Sequence, residues 1–365
     1  MALSKGSKAF LIALLGLAAV AAIVVGGAWW WVNQQVAGVP GEGDPVEFVV
    51  EEGATAPSIG SSLADQDIIR NGLAFRIVAQ QRGVDASFSA GTYELETGMS
   101  VDEVLEALAG GPMAPEVLRV TIPEGLTVAQ TLSRLAENTP FSVDEYRSVL
   151  DAARADRESG PLTVPSWVPP FGEFADDVEV FEGLLYPKTY DFDPDEVTAD
   201  AVLQAMLNEV EVAMASASPS AVQEAEAAGL SRYDALIIAS LVEREARVGG
   251  EWPEIAAVIR NRIDEGMLLQ IDATLLYAAG DPEGGPSSVN TEVESPYNTY
   301  QNPGLPPTPI AGARPEAIRA VFQPAESDFL YYVVAPECDG SHRFAETLDE
   351  HNQNVQAYRD ADRCQ

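Results

Sequence analysis

The pattern of apolar and polar positions changes character several times along this chain. From Ala9 to Val32 it is apolar and uncharged, with Gly16, Gly26 and Gly27 as small interruptions. About 24 helical residues span roughly 36 Å, more than the roughly 30 Å hydrocarbon core of a bilayer. Lys5 and Lys8 precede the run, no lysine or arginine follows until Arg70, and Trp29, Trp30 and Trp31 stand at its far end. This pattern predicts a retained single-pass helix over 9–32, with residues 1–8 cytoplasmic and the chain after Asn33 outside. The run is long for the core of a signal peptide, and no small-x-small cleavage site follows it. A Gly/Pro-containing linker fills 33–45.

Beyond the linker, period-2 segments alternate with segments of helical period. Val46-Glu-Phe-Val-Val-Glu-Glu-Gly-Ala-Thr matches Leu118-Arg-Val-Thr-Ile-Pro-Glu-Gly-Leu-Thr at an offset of 72. At that offset Glu52 and Glu124, Gly53 and Gly125, Thr55 and Thr127, Ser61 and Ser133, Leu63 and Leu135, and Ala64 and Ala136 are identical. Each copy reads as a short strand, a glycine turn, a threonine cap and an amphipathic helix. The first copy continues with a helix from Asn71 to Gln81 and a strand from Gly91 to Leu95, giving a βααβ module over 46–115. The second copy is expected over 116–160, and the Pro-rich loop from Pro161 to Pro170 separates it from a main body over 161–365.

In that body helices are expected at Asp200 to Ala215, Ser220 to Ala228, Ser231 to Ala246, Trp252 to Glu265, Pro315 to Phe322 and Thr347 to Asp360. Leu268 to Ile271 reads as strand-like or extended, and Phe329 to Ala335 as a buried strand. The expected fold class is α+β, with a mainly helical lobe.

One of these helices carries a misfit. In Leu236 to Ala246, residues Ile237, Ile238, Leu241 and Val242 form an apolar stripe, and Glu245 falls near its centre. Glu243 points almost the opposite way, beside Ser240 and Ala239, and reads as structural, pairing near Arg244 or with Arg260. A carboxyl on a core-facing stripe is desolvated, which raises its pKa and suits a general acid. The alternative is that Glu245 ends the stripe in an ion pair with Arg244 or Arg262.

Composition narrows the chemistry. The formal net charge of −36 argues against nucleic acid, because phosphate binding needs a basic face. Two histidines and two cysteines, with no Cys-x-x-Cys or His-x-x-x-His spacing, argue against a transition-metal site. Cys338 and Cys364 both fall on the expected oxidising side, which permits a disulfide. No phosphate-binding P-loop and no Gly-x-Ser-x-Gly elbow occurs. Asp191-Phe-Asp193-Pro-Asp195 imitates a calcium loop, but Pro194 interrupts it and Val202 stands where a glutamate is needed.

The run Ser295-Pro-Tyr-Asn-Thr-Tyr, followed by Gly304-Leu-Pro-Pro-Thr-Pro-Ile, is too proline-rich for a helix or a central strand. Tyr297, Asn298, Thr299 and Tyr300 offer ring faces and hydrogen bonds of the kind carbohydrate sites use. A structural loop against the core explains them equally well. The same two readings apply to Leu184-Leu-Tyr186-Pro-Lys-Thr189-Tyr190-Asp.

These segments together resemble the YceG-like endolytic murein transglycosylases. Phe181-Glu-Gly-Leu-Leu-Tyr-Pro-Lys-Thr-Tyr resembles the LEGFLFPDTY-type motif of that family. Ala239-Ser-Leu-Val-Glu-Arg-Glu-Ala, Val258-Ile-Arg-Asn-Arg-Ile, Gly266-Met-Leu-Leu-Gln-Ile-Asp-Ala-Thr and the Ser295 run match in order. His342-Arg-Phe and His351-Asn-Gln fit as well, and the N-terminal repeat looks like the family's LysM-like module. The resemblance implies a lysozyme-like catalytic lobe in which Glu245 is the catalytic acid. Tyr186, Thr189, Tyr190, Asp272, Thr274, Tyr297, Asn298, Thr299 and Tyr300 are the candidate substrate contacts.

The implied substrate is the peptidoglycan glycan strand, cut at the plasma membrane without cofactor or metal, and a peptidoglycan synthase is a candidate partner. Ala246, Ala273 and Lys188 depart from the usual Ser or Thr, Pro and Asp at their positions. A catalytically idle wall-binding scaffold and a two-carboxylate muramidase using Asp272 are the competing readings.

Overall fold

The computed structural model describes residues 34–39, 43–84, 88–114, 116–285, 288–337 and 339–361, preceded by Ile23, Val24, Gly26, Gly27 and Trp30. Most of the expected membrane span, and both cysteines, lie outside the described residues. Among the described residues no helix is long and apolar enough to cross a membrane. The chain divides into two compact units, Met1–Glu116 and Val117–Gln365.

In the first unit, strand β1 (Pro45–Val50) alternates so that Phe48 and Val50 point inward, and it pairs antiparallel with β2 (Gly91–Glu96). Helices α1 (Ala56–Asp65) and α2 (Gly72–Arg82) connect the strands. Thr55 and Ser58 form a capping box at the start of α1, and the Asn71 side chain accepts from Leu73 and Ala74 at the start of α2. Such caps satisfy N–H groups that a helix cannot bond internally, each contributing about 1 kcal/mol. Gly60 and Gly72 let the two helices touch, because a Cβ on Gly60 would lie 2.6 Å from the Gly72 carbonyl oxygen. A further helix, α3 (Val101–Gly110), closes the core over Phe48, Leu63, Phe75 and Tyr93.

The second unit begins with the same plan. Strand β3 (Leu118–Thr121) leads into α4 (Val128–Asn138) and α5 (Val143–Ala155), and β4 (Thr189–Phe192) pairs antiparallel with β3. The repeat is therefore a second βααβ module whose closing strand arrives late. Phe48 faces Tyr93 in the first sheet, and Val120 faces Tyr190 in the second. Tyr93 donates to the Ser89 carbonyl at 2.8 Å, and Tyr190 to the Tyr186 carbonyl at 2.7 Å, four residues back in both cases. The expected boundary at residue 160 is not a division between compact units, because β4 returns to β3 from beyond it.

The rest of the unit is helical: α6 (Ala199–Met214), α7 (Pro219–Ala227), α8 (Arg232–Glu245), α9 (Trp252–Asp264), α10 (Asp272–Ala278) and α11 (Pro315–Phe322). A two-stranded sheet of β5 (Tyr331–Val334) and β6 (His342–Ala345) precedes the last helix, α12 (Leu348–Asp360). Helix α8 runs through the core and is buried on every side from Ala235 to Val242, the pattern of a central rather than a surface helix. Among the described residues Leu268 to Ile271 pairs with no strand and forms the loop entering α10, and one expectation needs correction: β5 is half-buried rather than buried.

Candidate active site

Helix α8 ends at Glu245, and Ala246 leaves the helical conformation behind it. The carboxyl thus sits at the negative end of the helix dipole, where a proton is favoured over a charge. Burial is the largest influence on it and raises its pKa; the charge of Asp272 raises it further. Pulling the other way, the Tyr332 hydroxyl on β5 donates to Oε2 at 2.9 Å, and His342 and the Ala273 backbone N–H add smaller contributions. Neither arginine of the alternative reading pairs with Glu245. Arg244 is bound to Glu283 and to the carbonyls of Gly125 and Pro282. Arg262 donates to the carbonyls of Leu330, Leu268 and Leu269.

The opposite face of α8 differs from the amphipathic expectation. Glu243 is an ion-paired structural residue, but its partner is Arg314 rather than Arg260; its side chain is 4 % exposed and is clamped at 2.7 Å. The Arg314 guanidinium and its backbone N–H both donate to this carboxylate, and the guanidinium lies over the Trp252 ring. Ser240, also on this face, accepts from the Ile310 N–H at 3.0 Å. Two glutamates two residues apart therefore sit in opposite electrostatic settings. Glu243 is paired with an arginine, whereas among the described residues Glu245 has no cationic partner within salt-bridge distance.

Glu245 and Asp272 line two adjoining cavities. One, of about 370 Å³, is bordered by Arg247, Leu276, Val334 and His342. The other, of about 300 Å³, is bordered by Gln270, Tyr300, Tyr332 and His351. Asp272 opens α10 and accepts from Tyr300 at 2.5 Å. Tyr332 is set edge-on against His342, which is itself fixed by Glu251 through its backbone N–H and its Nδ1, each at 2.8 Å. A half-desolvated carboxyl between two sugar-sized hollows can protonate a bond that bridges them. Among the described residues no group of His, Cys, Asp or Glu is arranged to hold a metal ion.

Of the sequence-predicted residues, Glu245, Asp272 and Tyr300 come together at these cavities. Six of the other seven spend side-chain polar atoms on internal bonds, and Tyr186 is buried with its carbonyl accepting from Tyr190. Thr274 and Thr299 are buried and share a hydroxyl contact at 3.0 Å, and Asn298 donates to the carbonyls of Thr291 and Val293. Tyr297 is buried against Tyr277 and bonded to Thr308 at 2.7 Å. Tyr186, Thr189 and Tyr190 belong to the second βααβ module, where Thr189 meets Thr121 across the strands at 2.9 Å. Thr274 and Thr299 tie the turn entering α10, Tyr297 and Asn298 tie the long loop after it, and Thr189 and Tyr190 belong to the small sheet.

Sequence reasoning missed Tyr332 because it lies in a run that reads as an apolar strand. It also missed Glu182, which is 2 % exposed. Glu182 accepts from the Val128 N–H at 2.8 Å and from Tyr277 at 3.0 Å, and burial pushes its pKa up to about 8.

Similarity to known proteins bears on the same elements. The YceG-like family model matches residues 48–357. An endolytic murein transglycosylase of Bacillus subtilis is 30 % identical over 317 residues, covering 86 % of this chain and 84 % of that protein. One from Streptococcus pneumoniae is 28 % identical over 326 residues, covering 84 % of this chain and 57 % of the relative. A crystal structure of a yceG-like protein from Listeria monocytogenes superposes with a TM-score of 0.54 at 30 % identity, over 85 % of this chain and 99 % of the other. With the match running from β1 through the Glu245 cavities into α12, the chain belongs to the YceG-like family.

Proposed function

We propose that this chain is an endolytic murein transglycosylase that cuts glycan strands of peptidoglycan without water, leaving 1,6-anhydro-N-acetylmuramic ends. The observation that carries the reading is the Glu245 carboxyl, half-buried between two cavities with no ion-pair partner among the described residues. Protonated Glu245 gives its proton to the bridging oxygen as the C1–O4 bond breaks. The sugar's 6-hydroxyl then forms the new bond to C1 and returns its proton to the Glu245 carboxylate. The Tyr332 hydroxyl stabilises that carboxylate in the interval. Proton, bond and charge balance with no second nucleophile.

Anchoring by residues 9–32, action on newly made strands near the membrane surface, glycan binding by the LysM-like first unit and a synthase partner all belong to this proposal. They rest on the charge pattern around the apolar run and on the family likeness. One observation favours a second reading: Asp272 lines both cavities and its charge reaches Glu245. A pair of carboxylates is the arrangement of a hydrolysing muramidase. The mass spectrum of glycan strands digested by the full-length protein separates the two. Anhydro ends are expected; reducing N-acetylmuramic ends would establish the hydrolase, and no cleavage would leave the scaffold reading.

A further inference from the structure

Gln270 stands in the left-handed region of backbone space at φ 52°; among the described residues only Asp67 shares this among non-glycines. Side chains other than those of Asn and Asp rarely settle there, because Cβ crowds the following carbonyl. The conformation is enforced from both sides. The Gln270 N–H donates to the Thr299 carbonyl at 3.1 Å, and the Ile271 N–H to the Thr299 hydroxyl at 3.0 Å. Arg262 holds the Leu269 carbonyl at 2.7 Å, while Leu269 and Ile271 bury their side chains on either side. Glycine would meet this geometry without strain. A glutamine there keeps its side chain at the expense of an easier fold.

That side chain is exposed, lines the cavity shared by Glu245, Asp272, Tyr300 and Tyr332, and makes no hydrogen bond to the described protein. Backbone strain at such a place points to a use for the side chain rather than to a folding need. Around the cavity Asp272 accepts from Tyr300 and Glu245 accepts from Tyr332, so each of these tyrosine hydroxyls already has a partner. The Gln270 primary amide is unspent as both donor and acceptor. An acetamido group offers the complement, one N–H and one carbonyl oxygen.

We infer that Gln270 is a substrate-contacting residue whose side-chain amide binds the 2-acetamido group of a sugar in the cavity beside Glu245. This rests on the proposed cleavage of glycan strands at Glu245. The contact holds the acetamido group in register with the bond that Glu245 protonates, so its loss reaches both affinity and rate. Strain is the cost of presenting the amide.

The test uses the full-length protein with Gln270→Gly and Gln270→Asn, measuring thermal midpoint and kcat/KM on intact and on chemically de-N-acetylated glycan strands. Gln270→Gly is expected to hold or raise the midpoint, by about 1–3 °C, while kcat/KM on intact strands falls at least tenfold. The preference for N-acetylated strands should shrink in that variant, and Gln270→Asn, which tolerates the backbone and keeps an amide, should fall between. A Gln270→Gly protein that cuts both strands with wild-type preference overturns the inference. So does one whose midpoint falls in step with its activity, which makes Gln270 structural. Wild-type protein that cuts neither strand removes the reading of the site itself, and the inference with it.

Discussion

Glu245 and Glu243 show how one helix gives two identical side chains opposite chemistry. Arg314 makes Glu243 a buried ion pair, and breaking such a pair leaves an uncompensated charge. Glu245 has only the Tyr332 hydroxyl and weaker polar neighbours against its burial, so its pKa is raised. Activity that needs the protonated acid is therefore present below this raised pKa and lost as pH climbs through it. Tyr332→Phe removes a donor that favours the carboxylate, so the alkaline limb of the pH–rate profile should move up. The rate on the plateau should fall roughly three- to tenfold, the worth of one hydrogen bond of about 1 kcal/mol. An unmoved limb would mean that Tyr332 does not act on Glu245. Periodicity could mark Glu245 as unusual and turn Glu243 the other way as a structural residue, yet it could not name Arg314 as its partner. The partner of Glu243 lies 71 residues away, and Ser240 beside it is sealed by Ile310. Local spacing holds no information about either.

At the scale of elements, the second βααβ module is docked to the helical lobe through Glu182, whose carboxyl meets the first turn of α4 and the Tyr277 hydroxyl of α10. Its folded pKa of about 8 lies above the ordinary carboxylate value. The folded state thus holds a proton that the unfolded state releases. This contribution to stability is whole below the unfolded pKa of about 4.3 and fades as pH rises through 8. Glu182→Gln should flatten the decline in thermal midpoint between about pH 5 and pH 8, and an unchanged slope would assign the decline elsewhere. The opening strands, glycine turns and threonine caps of the two modules were legible because they repeat residue by residue. The closing strand β4 was not, since Thr189-Tyr-Asp-Phe follows a long excursion and reads as part of a motif. Only the pairing of Val120 with Tyr190, parallel to that of Phe48 with Tyr93, reveals it. Likewise the tyrosines and amides of the Ser295 run suggested sugar contacts, while Asn298 and Thr299 are spent on loop carbonyls and on the turn that holds Gln270.

For the whole molecule, the two units have separate hydrophobic cores, one around Phe48, Leu63 and Phe75 and the other around α8. Phe75 is fully buried, so Phe75→Ala should cost its unit about 3–5 kcal/mol. Calorimetry of the full-length variant should show one transition lowered and the other, belonging to Val117–Gln365, in place. A single transition moving as a whole would show that the cores unfold together. The net charge of −36 sets the solubility of the molecule and its repulsion from other anions rather than its fold. Of the arginines near Glu245, Arg244 and Arg262 are spent on backbone carbonyls and on Glu283.

The most direct measurement is a mass-spectrometric count of anhydro ends released from isolated peptidoglycan by the full-length protein and by its Glu245→Gln variant. The wild-type protein should generate them. Glu245→Gln should lose at least about a hundredfold of that activity, the lower range of general-acid contributions, with an unchanged thermal midpoint. Anhydro ends formed at the wild-type rate by a folded Glu245→Gln protein would contradict the role given to this carboxyl.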